Sequence, residues 1–322
     1  MRQISRPLPA FVAIGFSLVI AACGGGSSDS DVGIANNAVD TPANGNQPVV
    51  QESGAPAATG DTSTDGFNWT NFRRSQLGLT ALTHNSAIDR AAQNHSDYQR
   101  ANDVITHEET RGFSGFTGET VQERLVAAGY GLRGDYAFGE VISASGDTSG
   151  FNAAEDLIAA IYHRFVMFQP SFREAGAGTA TVPDGYTYFT LNLASTNGLA
   201  AGLGSRRIVA YPFDGQTNVP TIFYSDYESP DPVEDRNEVG YPISVHADIT
   251  SDVTVQTFTV APRGAAALPV KLLSSTTDTH TTPSAAAIVP LVVLSPNTTY
   301  DVQFTGLVDG VAVSRSWSFT TR

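Results

Sequence analysis

The chain has 322 residues, of which 41% are hydrophobic, and carries a formal net charge of −14 with one lysine, Lys271. That length suffices for two ordinary domains. The acidic balance argues against nucleic acid and anionic membrane surfaces as direct partners.

Arg2 and Arg6 form a short basic region ahead of an apolar run from Phe11 to Ala22. The run is too short to span a bilayer comfortably and reads as an export signal. It ends in Ile20-Ala21-Ala22-Cys23, followed by Gly24-Gly25-Gly26, which has the pattern of a bacterial lipobox. Cys23 is the sole cysteine and stands where lipidation requires it. The expected product is a lipoprotein of the bacterial cell envelope. Residues 1–22 would be its signal peptide, and a lipid on Cys23 its contact with the membrane. Beyond Cys23 no cysteine remains for a disulfide, so hydrophobic cores must suffice. Residues 23–66 are rich in Gly, Ser, Asn, Thr, Pro and Ala, without a basic or aromatic residue. Such a segment cannot bury enough apolar area to offset its ordering entropy and reads as a disordered linker.

A first domain is expected over residues 67–203. Phe67–Leu77 reads as a helix with Asp65 as N-cap and Gly78 as stop. A second helix runs from Ser86 to Asn102, with Ile88, Ala91, Ala92 and Tyr98 at helical spacing. Thr120 and Glu123 form a capping box that opens a third helix ending at Gly129. Tyr136–Ser143 alternates like a strand. Asn152–Phe168 reads as one helix, capped by Asn152 and closed before Pro170. Strands follow over Ala175–Thr181 and Tyr186–Ala194. Helices and strands mix without regular βαβ alternation, which predicts α+β layers.

After Leu203 no long helical period is visible. Candidate strands are Arg207–Tyr211, Ile243–Asp248, Val253–Val260, Val270–Leu273, Ala287–Leu294, Thr299–Leu307 and Val311–Thr320. Asp214-Gly215, Ser295-Pro296-Asn297 and Asp309-Gly310 punctuate them. Residues 206–322 are therefore expected to form an all-β, immunoglobulin-like sandwich.

The polar residues with site chemistry are few. His107 lies in a polar turn, ITHEE. Glu140 stands inside the apolar strand YAFGEVI, where a carboxylate must face a partner or a cleft. His163 sits within the apolar helix beside Arg164. Imidazole and carboxylate suit a borderline cation such as Zn²⁺, although no His-Glu-x-x-His or Cys-x-x-Cys signature is present. Glu155 reads first as a capping partner and Glu108 as a solvated neighbour of His107; both are weaker cleft candidates. His95 reads as a packing residue. No Gly-x-Ser-x-Gly elbow supports a serine triad.

Several segments, in order, carry a family resemblance: NFRRSQLGLTALTHNSAIDRAAQNHSDY, the histidine of ITHEE, RLVAAGY, GEVIS, the IYHR helix, and FREAGAG followed by YTYFTLNL. Together they resemble the CAP superfamily of cysteine-rich secretory proteins, antigen 5 and pathogenesis-related 1, in its bacterial SCP-like branch. The resemblance implies an α-β-α sandwich with a central cleft lined by His107, Glu140 and His163. In many members two histidines and two glutamates line that cleft, and a divalent metal can sit there. The second glutamate would fall near Ala160, where this sequence has no acid.

Three functions follow as expectations. The first is a non-enzymatic module binding a small ligand, lipid or peptide in the cleft, with room for Zn²⁺ or another divalent cation. The second is a metal-assisted hydrolase with Glu140 as base. The third is a structural or adhesive surface protein with a vestigial cleft. Fold analogy does not choose among them.

Overall fold

The computed structural model describes residues 52–183 and 185–322. The export signal, Cys23 and the linker up to residue 51 lie outside these residues.

The first helix, α1 (Thr62–Gln76), starts earlier than its sequence suggests. Asp61, not Asp65, is its cap, accepting from the Thr64 amide at 2.7 Å. Asp65 instead accepts from the Thr59 and Gly60 amides of the preceding turn. Glu52 pairs with Arg73 at 2.8 Å, so contact with the domain begins within the expected linker.

A two-residue strand, β1 (Thr83–His84), leads into α2 (Ser86–Asn102), which Asn85 caps. Next come α3 (Val121–Ala127) under its Thr120 cap and β2 (Ala137–Ser145). The expected fourth helix is two: α4 (Gly150–Ala159), capped by Ser149 rather than Asn152, and α5 (Ile161–Met167). Ala160 between them is extended, with φ −68° and ψ 118°. Strands β3 (Glu174–Thr181) and β4 (Thr187–Ser195) complete a four-stranded sheet in the order β1-β3-β4-β2.

Helices cover both faces of this sheet. Trp69, Leu157, Val141, Leu191 and Leu193 pack together on the α1–α4 side. Ile88, Leu125, Phe138 and Ala194 pack on the α2–α3 side. The glycines of β3 let α2 come close: a Cβ on Gly178 would stand 2.2 Å from the Gln93 amide nitrogen. At that approach Asp89 accepts from the Ala177 amide and Gln93 from the Thr179 amide, both at 3.0 Å. Helix side chains thus occupy backbone groups that β1 is too short to pair.

The C-terminal half is all-β, as expected. Its first strands are β5 (Val209–Tyr211), β6 (Gln216–Val219), β7 (Ile222–Tyr224), β8 (Glu238–Gly240) and β9 (Ile243–His246). Those that follow are β10 (Val253–Pro262), β11 (Val270–Ser274), β12 (Ala285–Pro290), β13 (Thr299–Val308) and β14 (Val311–Thr321). They form two four-stranded sheets, β10-β13-β14-β6 and β11-β12-β9-β5, and a small β7-β8 ribbon. Each of the candidate strands appears; β6, β7 and β8 are short and carried no clear alternation.

The two halves share one core. Trp69, Met167 and Phe168 belong to the same buried cluster as Tyr211, Tyr241, Val245 and Ile288. Ile161, Tyr162 and Phe165 pack with Phe223, Val239, Leu273 and Val289. Every residue of α5 is buried, which is the pattern of a helix enclosed on all sides. Arg164 at its centre is fully buried and is held by carbonyls and rings rather than by an acid. It donates to the Pro242 carbonyl at 2.7 Å and lies 5.0 Å from the ring centres of both Tyr211 and Tyr241. His246 packs edge-on against Phe165 and Phe168. Burial, with Arg164 and Arg74 nearby, pushes its pKa down to about 3, so its ring is neutral.

Candidate functional site

His107 and Glu140 do meet. The loop after α2 brings the His107 ring to β2, and its Nδ1 lies 3.0 Å from Glu140 Oε1. Strand alternation points Phe138 and Glu140 to the α2–α3 side. Gly139 faces the other way, where Val166 of α5 would stand 2.6 Å from a Cβ. On the α3 side Arg124 Nη2 donates to the same Glu140 oxygen at 2.7 Å, and Nη1 donates to the His107 carbonyl at 2.9 Å. Arg124 is 1% exposed and Glu140 2%, so this ion pair sits in a nearly dry interior.

Two further residues join them. His95 Nε2 lies 3.8 Å from Glu140 Oε1. Its two ring nitrogens face acceptors, the Thr106 carbonyl at 2.7 Å and Glu109 Oε1 at 2.9 Å. Glu109 also accepts from the amides of Thr117 and Gly118. His95 is therefore part of a polar network rather than a packing residue. Burial works against the Glu140 charge, but Arg124 foremost, then His95 and His107, hold its carboxyl far below the usual range. Glu109 is lowered in the same way: burial opposes its charge, while His95, the Thr117 amide and Arg124 favour it.

His163 takes a different partner. Its Nδ1 lies 3.1 Å from Oε1 of Glu228, a residue of the C-terminal half. Glu155 is neither a helix cap nor a cleft residue. It accepts from Trp69 Nε1 at 2.6 Å and Arg73 Nε at 2.9 Å. Glu108 is exposed, with its amide donating to Thr106 Oγ1.

The three-ligand Zn²⁺ site expected from His107, Glu140 and His163 is not formed. Among the described residues no group of three or more His, Cys, Asp or Glu is placed to hold a metal ion. The donor chemistry gives the reason. Glu140 Oε1 is taken by a guanidinium and an imidazole, leaving Oε2 as its unpartnered atom. The buried Arg124 guanidinium beside that oxygen repels a second cation. Both His95 nitrogens are engaged, and His163 is paired elsewhere. The residues present do not fit a divalent metal.

Residues 67–193 match the family model of CAP, the cysteine-rich secretory protein family. The chain carries a CAP domain. No curated protein matches the chain. Among solved structures, the chain is similar to an extracellular SCP-domain protein of Bacillus anthracis, at 24% identity and a TM-score of 0.35. That match covers 41% of this chain and 39% of the other, so the chain spans well under half of that relative. It is also similar to an outer surface protein of Borrelia burgdorferi, at 13% identity and a TM-score of 0.35, covering 41% of this chain and 90% of the other. A third is a venom allergen-like protein of Schistosoma mansoni, at 12% identity and a TM-score of 0.30, covering 44% and 92%.

Sequence reasoning placed Glu109 beside His107 as a solvated or supporting neighbour, and did not single out Arg124 or Glu228. Arg124 carried a usable signal: an arginine opening the apolar run RLVAA, directly after a capping box, with no acid four residues on. Glu228 carried none, because nothing in its own segment links it to a helix more than sixty residues earlier.

Proposed function

We propose that this CAP protein is a non-enzymatic binding module, presented outside the cytoplasm on a lipid-anchored tether. The observation that carries the reading is the Glu140–Arg124 pair. A carboxylate held ionised by a buried guanidinium is a poor general base, because catalysis favours a pKa near the working pH. The polar cluster of the CAP domain therefore acts as scaffold. A groove of about 650 Å³ between α1 and α2, lined by Phe67, Asn68, His84, Asp89 and Gln93, shares no residue with it. That groove offers a ligand one aromatic edge and several polar side chains, suited to a small amphipathic molecule or a peptide.

Metal content tests the reading. The purified full chain is dialysed against Zn²⁺, washed, and measured for bound metal and melting temperature with and without chelator. We expect no stoichiometric zinc and no chelator-dependent change in melting temperature. One retained zinc per chain, with a melting temperature that falls on chelation, would overturn the scaffold role of the cluster and reopen metal-assisted hydrolysis.

The tether rests on the lipobox at Cys23. Cys23→Ala is expected to leave the precursor unlipidated and to shift the product out of the membrane fraction. A variant that fractionates and migrates like the wild type would remove the anchor from the proposal. Among the described residues no helix is long and apolar enough to cross a membrane.

A further inference from the structure

The break at Ala160 separates α4 from α5 and leaves the first amides of α5 without carbonyl partners in the helix. Glu228 takes them. Its Oε2 accepts from the Ile161 amide at 2.7 Å. Its Oε1 accepts from the Tyr162 amide at 2.7 Å, the His163 amide at 3.3 Å and His163 Nδ1 at 3.1 Å. Glu228 is 1% exposed. Its segment is braced: Ser225 Oγ bonds Asp231 and accepts from the Val233 amide, and the Ser225 amide donates to the Asn237 carbonyl. The carboxylate is thus delivered at a fixed place by the β-rich half. It arrives where α5 begins, beside the position at which the family resemblance had asked for a second glutamate on the CAP domain itself.

We infer that Glu228, contributed by the C-terminal half, is the positioning residue for His163 of the CAP domain. An ionised carboxylate only accepts hydrogen bonds, so the nitrogen facing it must carry the proton. In neutral His163 that nitrogen is Nδ1, which leaves the lone pair on Nε2. Nε2 is buried and has no hydrogen-bond partner among the described residues. A proton on Nε2 in the neutral ring would be an orphan donor, which disfavours the other tautomer. His163 is in this way fixed as a hydrogen-bond acceptor at Nε2. The inference concerns the ring's tautomer and orientation, and it stands whatever the CAP domain binds.

The test is long-range ¹H–¹⁵N correlation spectroscopy of the ¹⁵N-labelled full chain at neutral pH. The His163 signals are assigned by their loss in His163→Asn. In the wild type we expect His163 as the Nδ1–H tautomer with an acceptor-type Nε2. An Nε2–H tautomer or an imidazolium would overturn the inference outright. Glu228→Gln keeps an oxygen acceptor for Nδ1–H and is expected to preserve the tautomer. Glu228→Ala is expected to make Nδ1–H the minor species. A folded Glu228→Ala chain with the wild-type tautomer would show that another group orients the ring, and the inference would fall. Should the alanine variant not fold, the wild-type and Glu228→Gln spectra decide.

Discussion

A fragment comprising residues 52–203 is expected not to unfold cooperatively, although it holds the whole CAP match. Removal of the C-terminal half strips one side of α5. Ile161, Tyr162 and Phe165 lose Phe223, Val239, Leu273 and Val289. Each large apolar side chain so exposed forfeits about 1.5–3 kcal/mol. The sum rivals the whole stability of an ordinary domain, about 5–15 kcal/mol. Arg164 loses the Pro242 carbonyl and both tyrosine rings, and the start of α5 loses Glu228. Near-ultraviolet circular dichroism and urea unfolding check this. A single sharp transition with native-like tertiary signals in the fragment would show that the CAP domain is independent. The composition change after Leu203 invites that outcome, because the two sides differ in secondary-structure class. The shared core points the other way.

Arg124→Met is expected to cost about 3–5 kcal/mol, the usual penalty for removing one partner of a buried ion pair. The variant would leave Glu140 and Glu109 in the interior without their guanidinium. Its cost should depend on pH in a stated direction. In the wild type both carboxyls are held below their unfolded values. The stability they contribute is present above the unfolded pKa of about 4.3 and is lost as pH falls through the folded values. In the variant the carboxyls lose the guanidinium's share of that depression, so the gap between the two proteins should be largest at pH 7 and narrow below about pH 4.3. Urea unfolding at neutral pH and at the carboxylate pKa reads both numbers. A loss under about 1 kcal/mol at neutral pH, as for an exposed pair, would mean that water reaches Glu140 and that the cluster is not the dry scaffold described above.

The sequence by itself determined the local structure. The spacing of Ile88, Ala91, Ala92 and Tyr98 specified α2, and Thr120 specified the start of α3. Strand alternation located β2, β3, β4 and each of the candidate strands of the C-terminal half. These signals are legible because periodicity and capping act within one turn or one strand. The same local logic placed Glu140 on an apolar strand and required it to have a partner.

Only the tertiary structure decided who the partners are. Arg124 reaches Glu140 because α3 lies over β2. Glu155 turns to Arg73 and Trp69 because α4 packs on α1. The break at Ala160 lies in an unbroken apolar run with no proline or glycine to mark it. There Glu228, distant in sequence, accepts from the amides that a continuous helix would have paired with its own carbonyls. A buried charge is satisfied by whichever opposite group the packing delivers, and packing of two domains into one core is not written in the period of either.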